Sequence, residues 1–142
     1  MSFNLGERNK KMKEIKAGMK SSAETEVNKE NLAVTIGSGS LEVFATPMMA
    51  ALMENAASKA VAAALENDET TVGTMLNITH TSATPVGMKV TAYAEVIQSN
   101  GREITYHVTA EDEKGIIGEG THKRFIVSAN KFVNKTNSKL NA

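Results

Sequence analysis

Residues 46–65 read TPMMAALMENAASKAVAAAL, and this stretch decides the fold. Thr46 followed by Pro47 is a helix start signal: a side-chain acceptor at the N-cap, then a preset φ at the first helical position. The run from Met48 to about Leu65 is rich in Ala, Leu and Met. Its interior carries only two charges, Glu54 and Lys59. A helix that is apolar nearly all round is expected to be buried.

Strand-like segments lie on either side. After the helix, Val72, Thr74, Leu76, Ile78 and His80 fall at alternate positions and are expected to share one face. Met88 to Gln98 then sets Met88, Val90, Ala92, Ala94 and Val96 against Lys89, Thr91, Tyr93, Glu95 and Ile97. Asn100-Gly101 is a hairpin signal into Ile104, Tyr106, Val108 and Ala110. Lys114-Gly115 turns the chain into Ile116 to Val127. Before the helix, Ala23 to Val27 reads as a strand, and Asn31 to Ile36 fits either state. The pattern predicts an α+β fold, a long antiparallel sheet wrapped around one central helix. Such a sheet leaves a face and an edge needing cover, so dimerisation is expected.

The predicted domain spans 21–133, after a basic N-terminal segment, 1–20, and before a polar tail, 134–142, expected to fray. Arg8 to Lys20 is basic with Met12, Ile15 and Met19 at helical spacing, and reads as a solvated edge leading into the first strand. No apolar run approaches the roughly 20 residues of a membrane span, and no signal-peptide core is visible. A cytoplasmic protein without a membrane partner is therefore expected.

Sixteen basic residues balance sixteen acidic ones. A duplex binder carries a basic surplus, so nucleic acid is not expected as a partner. The chain has no cysteine, which excludes disulfides, Cys-ligated zinc and a cysteine nucleophile. Among its three histidines no pair has helical metal-ligand spacing, so no metal site is expected.

Four residues stand out. Glu54 is the only acid between Glu42 and Glu66 and sits mid-helix among Leu52, Met53 and Ala56. A carboxylate there either reaches solvent along a polar stripe with Asn55 or Lys59, or has its pKa raised and works as a base. His80 ends an alternating strand on its inward side, as a hydrogen-bonded core residue or a catalyst. Thr46 is an N-cap by default; the helix start also offers free amides and a positive dipole end to an oxyanion or phosphate. Gly73, isolated in a strand, marks a bulge or close backbone approach. Eight residues part Thr46 from Glu54, about 12 Å along a straight helix, so a bend, a long substrate or a second subunit is needed to unite them. His107 is expected at the surface. His122, in Gly118-Glu119-Gly120-Thr121-His122, is structural or ligand-facing.

Several segments together resemble a hotdog-fold thioesterase of the fluoroacetyl-CoA thioesterase group. They are Leu41-Glu42-Val43-Phe44-Ala45-Thr46-Pro47, Leu52-Met53-Glu54, Val72-Gly73-Thr74, Thr79-His80-Thr81-Ser82-Ala83-Thr84-Pro85-Val86-Gly87, and Gly118 to Arg124. The likeness covers about residues 37–133. It implies a homodimer, or a dimer of dimers, with two active sites at the subunit interface, and hydrolysis of a short acyl-CoA. It implies no cofactor beyond the CoA of the substrate. Thr46, Glu54 and His80 match the catalytic positions. Gly73 matches the backbone position near the thioester carbonyl, and Arg124 a basic position near the substrate tunnel.

On that resemblance Glu54 is a general base on water or a nucleophile, Thr46 positions the attacking group, and His80 orients water or protonates the leaving thiolate. Backbone amides near Gly73 or a helix N-terminus then receive the oxyanion. The family's aromatic lid has no counterpart here, since the matching stretch is Gly37-Ser38-Gly39-Ser40-Leu41. A short or medium acyl-CoA is therefore expected rather than fluoroacetyl-CoA alone. Lys123, Arg124 and Lys131 are the expected cluster for the CoA phosphates. A non-hydrolytic acyl-CoA-binding protein and a hotdog enoyl-CoA hydratase are the competing readings.

Overall fold

In the computed structural model, residues 14–141 are described. Strand β1 (Lys20–Glu26) precedes a short helix α1 (Ala33–Ile36) and the central helix α2 (Thr46–Val61), which tightens into a 3-10 turn at Ala62–Ala64. Strands β2 (Glu69–His80), β3 (Lys89–Asn100), β4 (Glu103–Asp112) and β5 (Gly115–Ser128) follow, then helix α3 (Ala129–Asn137) and a 3-10 turn (Ser138–Asn141). The five strands form one antiparallel sheet in the order β1-β3-β4-β5-β2. The ambiguous Asn31 to Ile36 stretch thus holds a helical turn. Much of the basic Arg8 to Lys20 segment lies outside the described residues, but Ile15 and Met19 within it pack against the core.

The sheet curls around α2 because the facing side chains are small and apolar. Ala23, Val90, Ala92, Ala94, Val108 and Ala110 are buried on the sheet's inner face. They meet Met49, Met53, Ala56, Ala57 and Val61, which recur at i, i+4, i+7, i+8 and i+12 on one side of the helix. Alanine on both partners lets the backbones approach closely, and Phe44 and Ile104 join the same core. The β3–β4 turn is the two-residue connection signalled by Asn100-Gly101: Asn100 pairs with Glu103, and Gly101 takes φ 63°, where a side chain would strain the backbone.

Three expectations need correction. The apolar composition of α2 predicts burial all round, yet Ala51 and Asn55 are exposed and Glu54 is half-buried. One curled sheet covers only one side of a helix. The strict alternation expected from Val72 to His80 also fails, because β2 slips against β5 between Gly73 and Met75. The bulge reverses the phase of the strand. Thr71 and Gly73 oppose the inward Ile126 and Arg124, while beyond the bulge Leu76, Ile78 and His80 oppose His122, Gly120 and Gly118. Finally, the polar tail is helical through Asn137, with Ala129 N–H donating to the Asp68 carbonyl at its start.

Candidate active site

The start of α2 holds the first cluster. Thr46 is not the N-cap. Ala45 takes that position with extended φ/ψ of −77° and 138°, and Thr46 already lies within the helix ahead of Pro47. Its hydroxyl is therefore released from capping. It shares a 2.7 Å hydrogen bond with His80 Nδ1 at the end of β2. The other ring nitrogen, Nε2, is buried and has no protein partner among the described residues. Burial lowers the His80 pKa below its ordinary value, opposed in part by the Ser82 backbone. The ring is thus a neutral imidazole near pH 7, able to accept a proton or pass one on. A shallow depression of about 250 Å³ opens here, lined by Ser38, Phe44, Thr46, His80 and Ala83.

The second cluster lies two turns along the same helix. A cleft of about 430 Å³ runs between the open side of α2 and the β2 edge, lined by Ala51, Glu54, Asn55, Thr71, Gly73 and Arg124. The Gly73 bulge sits at its floor. A Cβ added at Gly73 falls 3.0 Å from Glu54 Oε2, 3.3 Å from His122 Cε1 and 3.5 Å from Arg124 Nη1. Three side chains therefore converge on one spot of bare backbone, the situation that demands glycine.

Arg124 is 9% exposed. Its Nε donates to Thr71 Oγ1 and its Nη2 to the Thr71 carbonyl, both at 2.8 Å. Nη1 lies 3.3 Å from His122 Nε2. All three acceptors are neutral, so the buried cation is held in place without being neutralised. It projects its charge into the cleft that Glu54 enters.

Thr46 and His80 thus come together, as do Glu54, Gly73 and Arg124. The two groups do not meet within one chain. Helix α2 is unbroken from Thr46 to Val61, so Thr46 and Glu54 stay about 12 Å apart along its axis. Sequence reasoning missed Thr71, which anchors Arg124, because the bulge that brings it inward is invisible in a strict two-residue alternation. It left His122 undecided, and the structure turns it inward and buries it fully. His107 is half-exposed beside Glu119.

The cations expected to meet CoA phosphates do not cluster. Arg124 faces the interior, Lys123 on the opposite face of β5 pairs with Glu103 at 3.8 Å, and Lys131 lies on α3 beside Arg102 and Lys135. Strand alternation separates the first two and the chain's turn into α3 removes the third. Among the described residues no three His, Asp or Glu side chains gather to hold a metal ion, and no helix is long and apolar enough to cross a membrane.

A helix gripped by a curled antiparallel sheet, with its acid and its hydroxyl–imidazole pair turned to the uncovered side, is the hotdog fold of the thioesterases. A thioesterase-superfamily protein of Thermus thermophilus superposes with a TM-score of 0.81 at 28% identity, over 90% of this chain and 94% of its own. The crystal structure of the fluoroacetyl-CoA thioesterase FlK superposes at 0.83 with 34% identity, over 89% of this chain and 98% of that one. The fluoroacetyl-CoA thioesterase of Streptantibioticus cattleyicolor is 44% identical over 101 residues, 71% of this chain and 73% of its own length. The profile of the family described as FlK, fluoroacetyl-CoA-specific thioesterase, matches residues 27–130. This chain belongs to that family, and it is a thioester hydrolase.

Proposed function

We propose that the enzyme hydrolyses short or medium acyl-CoA thioesters in the cytoplasm, at sites shared between two copies of the chain. The observation that carries this is the placing of a carboxylate, Glu54, beside bare backbone at Gly73. Glu54 takes a proton from water, and the hydroxide attacks the thioester carbonyl carbon. The carbonyl oxygen becomes an oxyanion, received by backbone amide at the Gly73 bulge and by the field of Arg124. The intermediate collapses by breaking its C–S bond, and the proton that Glu54 took from water is relayed through the His80 imidazole, steadied by Thr46, to the departing thiolate. The products are the carboxylic acid and CoA. In the alternative course Glu54 itself attacks the carbonyl, and water then hydrolyses the resulting anhydride.

Mutants of FlK have been solved with acetyl-CoA and with fluoroacetate and CoA, which supports a CoA ester as the substrate class. The breadth of the acyl group follows from Ser38. It lines the depression at Thr46 and His80, in a stretch that carries glycine and serine and no aromatic side chain. Thiol release from a panel of acyl-CoAs tests the reading. Turnover of acetyl- through medium-chain esters is expected, with fluoroacetyl-CoA not favoured above its neighbours. Tight binding without thiol release points to a binding protein, and hydration of crotonyl-CoA without thiol release points to a hydratase.

A homodimer in which one subunit supplies Glu54 and the other Thr46 and His80 removes the 12 Å gap. The exposed β2 edge, beside the open side of α2, gives it a surface to form on. Mixing Glu54→Gln with Thr46→Ala subunits checks this. Each mixed dimer then holds one doubly altered site and one intact site, so activity well above either parent is expected. A mixture no more active than its parents overturns the shared site.

A further inference from the structure

His122 is a buried titratable side chain that the reaction above leaves unused. It is fully buried on β5 and stacks on Tyr106, with ring centroids 5.8 Å apart and planes at 27°. Its two ring nitrogens have different partners. Nδ1 lies 2.8 Å from the Met75 carbonyl oxygen. A carbonyl only accepts, so Nδ1 carries the proton. Nε2 faces Arg124 Nη1 at 3.3 Å. A guanidinium only donates, so Nε2 is the bare acceptor. Burial is the largest influence on the ring and lowers its pKa, and the Arg124 charge lowers it further. The Met75 hydrogen bond and Glu54 oppose without reversing this.

The Met75 carbonyl belongs to the same bulge that exposes Gly73. The bulge therefore does two things: it bares the backbone at the cleft floor, and it offers a carbonyl to orient a ring. Thr71 holds the Nε and Nη2 side of the guanidinium. His122 takes Nη1, the nitrogen nearest the space over Gly73. With all three nitrogens assigned the planar fork cannot swing. Nη1 has a second N–H, which remains for the Glu54 carboxylate or a substrate oxygen.

We propose that His122 is a positioning residue: a neutral Nδ1–H ring, anchored on the bulge carbonyl, that aims Arg124 at the reacting centre over Gly73. This rests on the reading of Glu54, Gly73 and Arg124 as parts of the hydrolytic site. His122 touches no substrate and transfers no proton.

Two variants separate the aiming of Arg124 from the anchoring on the bulge. The amide of Asn overlays imidazole Nδ1, so His122→Asn keeps the bond to Met75 and loses the acceptor for Arg124. The amide of Gln overlays Nε2, so His122→Gln keeps the acceptor and loses the anchor. His122→Asn is expected to lower kcat about 100-fold with KM little changed, the scale of a small misplacement of a reacting group. His122→Gln is expected to recover most of that loss. Equal activities, or Asn better than Gln, overturn the proposal, because a bulge-anchoring role favours the Asn variant; losses that follow Tm with kcat unchanged overturn it as well, because they mark packing alone. The wild-type protein gives an independent measurement should either variant fold poorly: ¹⁵N spectra of the His122 ring are expected to show the neutral Nδ1–H tautomer at pH 7. An Nε2–H tautomer or an imidazolium overturns it. Glu54→Gln, assayed alongside, keeps the two ideas apart. If Glu54→Gln retains activity the hydrolytic reading fails, whereas if it is inactive and the His122 variants do not split, only the positioning role fails.

Discussion

Glu54→Gln is expected to lower kcat for acyl-CoA hydrolysis by about 1,000-fold, within the range that a positioned general base contributes. Gln keeps the size of the side chain and its place over Gly73, but it can neither take a proton from water nor attack as a carboxylate. The fold should be indifferent to the change. Glu54 is half-buried on the side of α2 that the sheet leaves open, with none of the core methionines displaced. Thermal unfolding of the variant should therefore match wild type while thiol release collapses. A folded variant that keeps a tenth or more of the activity sinks Glu54 as base and as nucleophile alike. Thr46 or a water activated elsewhere then has to carry the reaction, because the chain has no cysteine to substitute.

Gly120→Ala is expected to be the most damaging small substitution for stability. A Cβ at position 120 would collide with the Asn77 carbonyl oxygen and fall 2.7 Å from the Ile78 Cα, both backbone atoms of the neighbouring strand. No rotamer change relieves such a contact. β2 has to move away from β5, and Gly120 is tied on its other side to Val108 of β4. A cost of ~3 kcal/mol is expected, the upper end for overpacking a tight interior. For a chain of this size that lowers Tm by roughly 10 °C. Lys123→Ala, on the outer face of the same strand, serves as the control and should shift Tm little. Calorimetry showing the two variants within experimental error of each other removes the close β2–β5 approach as the reason for glycine. A Cβ added at Gly118 would fall 2.5 Å from the Thr79 carbonyl oxygen, so the two glycines together let β2 press against β5 on the way to His80.

Much of the architecture is legible from local pattern. The alternation of Val90, Ala92, Ala94 and Val96 and the Asn100-Gly101 turn appear where the residue types place them. Each is a short-range preference, decided within a few residues of backbone. Thr46 shows where that logic misleads. Thr before Pro is a good cap on paper, yet the backbone enters the helix one residue earlier, and the hydroxyl is spent on His80, 34 positions away. Thr71 and Gly73 show the same from the other side. Their inward direction depends on a bulge set by pairing with β5, which no spacing within β2 reports. The tail is a third case: its polar composition suggests fraying, but a helix starts where Ala129 N–H finds the Asp68 carbonyl.

The sequence by itself determined the five strands, the central helix, and the residues through which the chain is similar to the fluoroacetyl-CoA thioesterases. Tertiary structure alone decided which of them meet. It joined Thr46 to His80, set Glu54 over Gly73, and turned Arg124 inward between Thr71 and His122. The division follows from the physics. Helix and strand preferences are settled over a few bonds, whereas side-chain encounters across the sheet depend on register. One slipped residue at Gly73 reverses which faces look in.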